Sequence, residues 1–424
     1  MRHLPLPLLL VACAPSGHRW DGPLWDPDPL PDCTAVSGGA VGAVYCGEES
    51  RAVLDNPHQG WEEFYGVANP NSPPMRVAYE RFWWDELEPT PGDIRWEAID
   101  GAIETADDNG QTFAFRVMPV EETTASYDDE AFLAAVEQTV AALGARYDGD
   151  PRIEQVDVGF VGEAGEWADT PADVPYPSTA STTRILDAFA QAFPSTPVLM
   201  NVGSTVEGGE AHLRLGLDRG FGWRADCWGD LRENWNHHDD FYEHRLEAAA
   251  ALDTWKTAPV AVETCGDMVL WQWGSYEESQ VRWLLHWLLD HHVLLVNNKS
   301  RDVPDAWRDS VDEYLGFSGP RYVVTRAERT ATGLTVEVVN RGSTPAYRPW
   351  RLGLRVREGD TTVGEIVASE EELSAVIDTV TLELPLADPA TTAALDLALL
   401  DERGAVISLA NVDLRDDGYL QVFP

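Results

Sequence analysis

Three glutamates in this 424-residue chain stand where the backbone could hold them for chemistry. The segment VDVGFVGEAGEW (156–167) opens as an alternating apolar run and closes on Glu163 and Glu166, held between glycines and followed by a tryptophan. The segment PVAVETCG (259–266) carries Glu263 after an apolar run and before a Cys-Gly turn. Two carboxylates brought to one cleft from different strands are what glycoside hydrolysis needs. One stays protonated to give its proton to the leaving oxygen, and the other is ionised to attack the anomeric carbon or activate water. A retaining reaction puts the two carboxyls about 5–6 Å apart, an inverting one roughly 6.5–9.5 Å. Nearly a hundred residues separate Glu166 from Glu263, so only the fold can bring them together.

Short β-type runs recur at GWEEFYG (60–66), MRVAYER (75–81), TFAFRVMP (112–119), IEQVDVGF (153–160), PVLMNVG (197–203), RADCWG (224–229), PVAVET (259–264) and VLLVNN (293–298). Helical periods fall between most of them, at 128–147, 182–193, 245–255 and 277–292. Strand and helix alternation over that length predicts an α/β fold, a parallel (β/α)8 TIM barrel, with a doubly wound open sheet as the alternative. A barrel delivers its chemistry at the C-terminal ends of its strands. Glu163 and Glu166 then follow strand four, and Glu263 ends strand seven. Beyond DSVDEYLGFSGP the helical period disappears, and six strand-like runs with turn signals predict a C-terminal antiparallel β-sandwich. The expected organisation is a leader at 1–13, a Pro/Gly/Asp-rich tether and lead-in loop at 14–52, the barrel at 53–318 and the sandwich at 319–424.

A formal charge of −42 excludes nucleic acid as a partner, because binding that polyanion relies on clustered Lys and Arg. The same charge disfavours anionic membranes and polyanionic substrates, and the dispersed acids read as a solvated surface. The N-terminal MRHLPLPLLLVACAPS has an apolar stretch too short to span a bilayer and reads as an export signal. Its LVAC resembles the lipobox of bacterial lipoproteins, which makes Cys13 the expected lipidation site; an ordinary signal peptide is the alternative. The expected location is the bacterial cell envelope or the medium, with membrane contact only through that lipid. Setting Cys13 aside leaves Cys33, Cys46, Cys227 and Cys265, which allow three pairings. Cys33 with Cys46 would staple the lead-in segment. Cys227 with Cys265 would join the ends of barrel strands six and seven, within the Cα separation a disulfide tolerates.

NPHQGW, YERFWWDELEPTPGDIRWEAID and GQTFAFRVMP resemble the first three strands of the clan A (β/α)8 glycoside hydrolases, which include β-galactosidase-like and cellulase-like enzymes. Within them, Trp84, Leu87, Glu88, Pro89, Gly92 and Trp96 form the most specific element. GFVGEAGEW and VNNKSRDVPDAWRDSVDEYLGF are similar to a poorly characterised bacterial family of β-galactosidase-like barrels with a C-terminal sandwich; together the likeness covers roughly 53–424. It implies a retaining glycoside hydrolase with its acid/base after strand four and its nucleophile at the end of strand seven. Clan A usually has Asn before the acid/base, whereas Gly165 precedes Glu166 and Gly162 precedes Glu163. The GEW triplet favours Glu166 as the acid, with Glu163 as its alternative and Glu263 as nucleophile. A non-catalytic glycan-binding or structural protein on a degenerate barrel is the rival reading.

Other residues are candidates for the same cleft. Arg81 and Arg116 could hold the nucleophile ionised or contact substrate. Asn201, Trp228, Asp230, Trp271 and Trp273 could line the cleft, indoles stacking on sugar faces and polar groups bonding hydroxyls. NHHDDFYEH offers His237, His238, Asp239 and His244, but adjacent histidines point apart and no compact ligand spacing is present. Neither metal nor cofactor is expected, the partner is a carbohydrate, and the chain is expected to be a monomer.

Overall fold

The computed structural model describes residues 17–119, 126–168, 170, 174–203, 210–233, 235–363, 367–369, 371–374, 376–389 and 391–424. Cys13 and its lipobox lie outside the described residues. The chain divides into two units, one formed by residues up to Gly22 with His58–Val311, the other by Pro23–Pro57 with Asp312–Pro424.

In the first unit eight parallel strands close into a barrel in chain order: β1 (Gly60–Phe64), β2 (Met75–Trp83), β3 (Thr112–Met118), β4 (Ile153–Asp157), β5 (Val198–Asn201), β6 (Gly222–Trp228), β7 (Val260–Thr264) and β8 (Leu295–Asn297). β8 pairs back onto β1 through Leu295 opposite Gly60 and Val296 opposite Trp61. Strands covered on both faces read as near-continuous apolar runs, and every residue of β3 and β4 is buried. The helices form the outer layer. Glu130–Tyr147 buries Leu133, Val136, Val140, Leu143 and Tyr147, a stripe at helical spacing. Its first turn is fixed by Asp129, whose carboxylate accepts from the N–H groups of Ala131 at 2.9 Å and Phe132 at 3.0 Å, a cap worth about 1 kcal/mol. The period at 245–255 is not one helix. It stops at Ala249, because Ala250 turns left-handed (φ 57°) and the N–H of Ala251 reaches back to the carbonyl of Leu246. Alanine propensity is a weak force beside the tertiary demand to turn and bury Ala251. Among the described residues no helix is long and apolar enough to cross a membrane.

The second unit is an antiparallel β-sandwich. One sheet runs Val44–Cys46, Tyr322–Arg329, Gly333–Asn340, Thr379–Pro385; the other is built around Arg351–Glu358 and Ala394–Leu400. Tyr322, Val324, Val336 and Val338 from the first sheet share a core with Trp350, Leu352, Leu354, Leu397 and Leu399 from the second. The segment expected to be a tether and lead-in loop is instead largely part of the sandwich unit. Pro23–Pro57 belongs to this unit, and Val44, Tyr45 and Cys46 pair with Glu328, Ala327 and Arg326 as an edge strand. Pro and Gly hide a three-residue strand held by a long-range partner and by a local bridge between Val36 and Val44. The Cys33–Cys46 disulfide, with Cα atoms 5.8 Å apart, fastens the approach to that strand.

Candidate active site

TIM barrels ordinarily fill their interior with branched apolar side chains. Toward the C-terminal ends of its strands this barrel instead holds one connected polar network, to which every strand contributes. Glu62 (β1) accepts from Arg224 (β6) at 3.2 Å, and Tyr79 (β2) donates to Asp157 (β4) at 2.8 Å. Arg116 (β3) bonds Asp157 at 3.2 Å and Asp226 (β6) at 2.8 Å, while Asn201 (β5) donates to Asp226 at 2.7 Å. Arg224 Nε meets Asp226 Oδ1 at 2.7 Å. Glu263 (β7) receives Arg81 (β2), Arg224 at 3.3 Å and Asn297 (β8) at 3.1 Å, all on Oε2. Its Oε1 has Lys299 Nζ at 3.3 Å. Apart from Lys299, whose side chain keeps 30 % of its exposure, these side chains are buried, so the network holds only because each charge has opposite charges and hydrogen bonds around it.

Glu166 joins at the rim. Arg81 donates one terminal nitrogen to Glu166 Oε1 at 3.0 Å and the other to Glu263, so one guanidinium fork spans both glutamates. Arg116 stands 3.8 Å from the same Glu166 oxygen. The Glu166 side chain keeps 26 % of its exposure, against 4 % for Glu263. Their proton affinities diverge. Burial, and then the negative charge of Asp226, push the Glu166 carboxyl up to about 7 against the pull of Arg81 and Arg116; Glu263 adds a smaller push. Burial also opposes the charge of Glu263, but Arg81, Lys299 and Arg224 outweigh it and hold that carboxyl below its ordinary range. Asp226 is held well below its own range, since Arg116, Arg224 and Arg81 outweigh its burial. The like charge that acts most on Glu166 is therefore Asp226, which the strand RADCW conceals among ordinary-looking residues.

The glycines around the rim acid now have a reason. Gly159 lies so close to β3 that a Cβ there would stand 1.9 Å from the carbonyl oxygen of Val117. Gly165 is left-handed (φ 70°), and a Cβ on it would meet Arg116 Cδ and Gly159 Cα, each at 3.2 Å. An asparagine at 165 would press on the guanidinium stem that supports the network, which is a physical reason for Gly in this chain. Trp167 anchors the end of the loop. It is wholly buried, its indole N–H bonds the Val158 carbonyl at 3.0 Å, and its backbone N–H bonds Val161 at 3.0 Å.

The structure brings together Glu166, Glu263, Arg81 and Arg116, though Arg116 serves Asp157 and Asp226 rather than Glu263. Glu163 is exposed at the start of a short turn and enters none of these ion pairs among the described residues. Asn201 is committed: its amide donates to Asp226 and its oxygen accepts from Gly203 N–H at 2.8 Å. Trp228 and Trp271 cannot stack on a sugar, because they are 0 % and 3 % exposed and pack edge-on with centroids 5.1 Å apart. Asp230 is buried and bound by Arg232 and His237, whereas Trp273 is exposed. His237, His238 and Asp239 turn to separate partners: Asp230, the Gly229 N–H and His18. Missed from sequence were Glu62, Tyr79, Asp157, Arg224, Asp226, Asn297 and Lys299. For all but Lys299, which follows the last barrel strand, the signal is a polar residue within a mostly apolar strand, repeated from strand to strand. A cavity of about 810 Å³ lined by Glu137, Arg184 and Asp187 sits in the outer helical layer and is no part of this site.

The strand-six and strand-seven cysteines form a disulfide, Cys227–Cys265, with Cα atoms 3.9 Å apart. The register of β6 on β7 slips between Ala225 and Trp228, so a bulge carries Asp226 and Cys227 to their two tasks, one inward and one toward β7.

No protein-family model and no curated protein sequence matches this chain. Among solved structures it is similar to Pseudomonas stutzeri endoglucanase Cel5A, at 12 % identity over 57 % of this chain and 81 % of that one, TM-score 0.35. It is also similar to endo-glycoceramidase II from Rhodococcus sp., at 12 % identity over 79 % of this chain and 100 % of that one, TM-score 0.36. Native xylanase 10B from Thermotoga maritima gives 11 % identity over 62 % and 96 %, TM-score 0.42. The barrel of the present chain rests on its own strand pairing, and its chemistry on the network just described.

Proposed function

We propose that this protein is a retaining glycoside hydrolase acting on a neutral oligo- or polysaccharide, with Glu263 as nucleophile and Glu166 as acid/base. The observation that carries the reading is the opposite setting of two glutamates that share Arg81: burial and Asp226 keep one protonated, while Arg81, Lys299 and Arg224 keep the other charged. In the first step Glu263 attacks the anomeric carbon and the leaving oxygen takes the Glu166 proton. Oε2 of Glu263 is engaged by three donors and Oε1 by Lys299 alone among the described residues, so Oε1 is the attacking oxygen. Water, deprotonated by Glu166, then releases the sugar with net retention. The neutral substrate follows from the charge of −42, which repels polyanionic glycans. Export through the 1–13 leader, membership of the narrower family that GFVGEAGEW resembles, and a monomeric state belong to the same proposal.

The test is a panel of aryl glycosides and polysaccharides offered to the wild type and to Glu263→Gln, with the anomer formed first read by NMR. Retained configuration, lost in Glu263→Gln, is the expected result. Hydrolysis with inversion overturns the nucleophile assignment. Sugar binding with no hydrolysis across the panel transfers the molecule to the rival reading, a glycan-binding barrel.

A further inference from the structure

Beside the carboxylate network, and independent of its function, a second cluster gathers at the ends of β6 and β7. Cys227, Cys265, Asp230 and His237 each place one potential ligand atom so that all four lie within 4.8 Å of one another. A disulfide needs only the two sulfurs. The convergence of an imidazole and a carboxylate on the same point is not explained by it. Two thiolates, one imidazole and one carboxylate are a ligand set for a borderline-soft divalent ion of the zinc class. Tetrahedral bonds of about 2.0–2.3 Å put ligand atoms roughly 3.3–3.8 Å apart, so a group already within the observed span needs only small movements.

The surroundings also suit an ion. The Cys227 N–H donates to Tyr242 Oη at 2.8 Å, the Cys265 N–H donates to the Trp228 carbonyl at 2.7 Å, and the Cys265 carbonyl accepts from the Trp271 indole at 2.8 Å. Both cysteine backbones are thus pinned. His237 Nδ1 lies 2.6 Å from Asp230 Oδ2, which fixes the ring against the carboxylate. Arg232 donates Nε to Asp230 Oδ1 at 2.7 Å and a terminal nitrogen to Oδ2 at 2.8 Å. Two thiolates and a carboxylate around a divalent ion leave one negative charge, and Arg232 stands where it neutralises that charge.

We propose that the Cys227–Cys265 disulfide is the oxidised state of a metal site, and that after reduction Cys227, Cys265, His237 and Asp230 bind one zinc-class ion. Two equivalents of an external thiol reduce the bond, giving two protein thiols and one external disulfide. The ion then binds as the two thiol protons leave to solvent. Such an ion would tie the loop after β6 to the end of β7.

The test uses the full chain, reduced with a phosphine, desalted without oxygen and titrated with Co²⁺. One equivalent is expected to give the absorption of tetrahedral cobalt with a thiolate charge-transfer band, displaced by Zn²⁺, and the oxidised protein is expected to give none. Cys227→Ser, which leaves Cys33 and Cys46 in place and keeps only Cys265 at this site, should cut the thiolate band to about half or less. His237→Ala, which leaves the disulfide intact, should weaken Co²⁺ binding by about 10–100-fold. Absence of the band in reduced wild type overturns the proposal, as does its survival at undiminished strength in Cys227→Ser. Should Cys227→Ser fail to fold by circular dichroism, unchanged affinity in His237→Ala overturns it as well.

Discussion

Both units of this protein bury charge, and they do so differently. In the sandwich, Asp396 is wholly buried and accepts from Arg355 at 2.7 Å and Arg357 at 2.9 Å, with Asp417 taking a further Arg355 nitrogen at 2.7 Å. In the barrel, five carboxylates (Glu62, Asp157, Glu166, Asp226, Glu263) share three guanidinium groups and one ammonium. A matched cluster has no reason to hold a proton. A cluster with an acid in surplus does. Glu62 and Glu166 are both pushed up to about 7, in each case chiefly by burial. Glu62 lies sealed beneath the network against Arg224, while Glu166 stands at the rim with part of its carboxyl open. Buried charge alone therefore does not mark a site; unequal settings of neighbouring acids, one of them accessible, do.

Removing the proposed nucleophile should break the comparison most severely. Glu263→Gln is expected to lower kcat by roughly 10⁴-fold or more on every substrate class, read by steady-state kinetics against a folding control. Glu166→Ala should cost about 10²–10⁴-fold on glycosides with poor leaving groups, and far less on activated aryl glycosides, where azide should restore turnover. Equal losses in the two variants on both substrate types would falsify this division of labour and turn attention to Glu163.

The pH dependence sharpens it. On the proposed division of labour Glu166 must be protonated and Glu263 ionised, so kcat/KM should be bell-shaped, with its basic limb near pH 7 and its acidic limb below the ordinary carboxylate range. Stability carries the same signature. A carboxyl raised from 4.5 to about 7 contributes fully below pH 4.5, and its contribution is lost as pH rises through 7. Thermal melts of Glu166→Gln should therefore fall less between pH 5 and 8 than those of the wild type. A parallel decline would show that other groups control that range.

In the sandwich the effect should be confined to stability. Asp396→Ala leaves two guanidinium groups without their shared partner and should cost about 3–5 kcal/mol by denaturant unfolding of that unit, with kcat/KM per folded molecule unchanged. A fall in kcat/KM would show that the two clusters are not independent. Smallest is Gly165→Asn, which installs the residue clan A usually has. Pressure on Arg116 Cδ and the left-handed backbone should cost about 1–2 kcal/mol, with activity falling rather than rising. Higher activity in that variant would show that glycine at 165 limits the site.

The residues determined the local elements by themselves. TFAFRVMP and PVAVET are strands because buried β-branched, aromatic and other apolar side chains dominate them, each broken by one inward charge, and MRVAYER carries the same apolar alternation around Val77 and Tyr79. Glu130–Tyr147 is a helix because its apolar stripe and the Asp129 cap lie within one segment. The order of these elements also points to a barrel, and the barrel places Glu166 and Glu263 at strand ends. What the chain order does not contain is which charges meet across the interior. Arg81 takes both Glu263 and Glu166, Arg116 turns to Asp157 and Asp226, and Asp226 does more than Glu263 to raise Glu166. Val44–Cys46 is extended through Tyr322–Arg329 and the bridge from Val44 to Val36, and Trp228 is lost to the cleft because tertiary packing buries it wholly, with Trp271 edge-on against it. Secondary structure follows from periodicities that repeat within a few residues. Proton affinity, ion pairing and exposure depend on groups brought from all eight strands to one end of the barrel, and closure of the barrel alone fixes those distances.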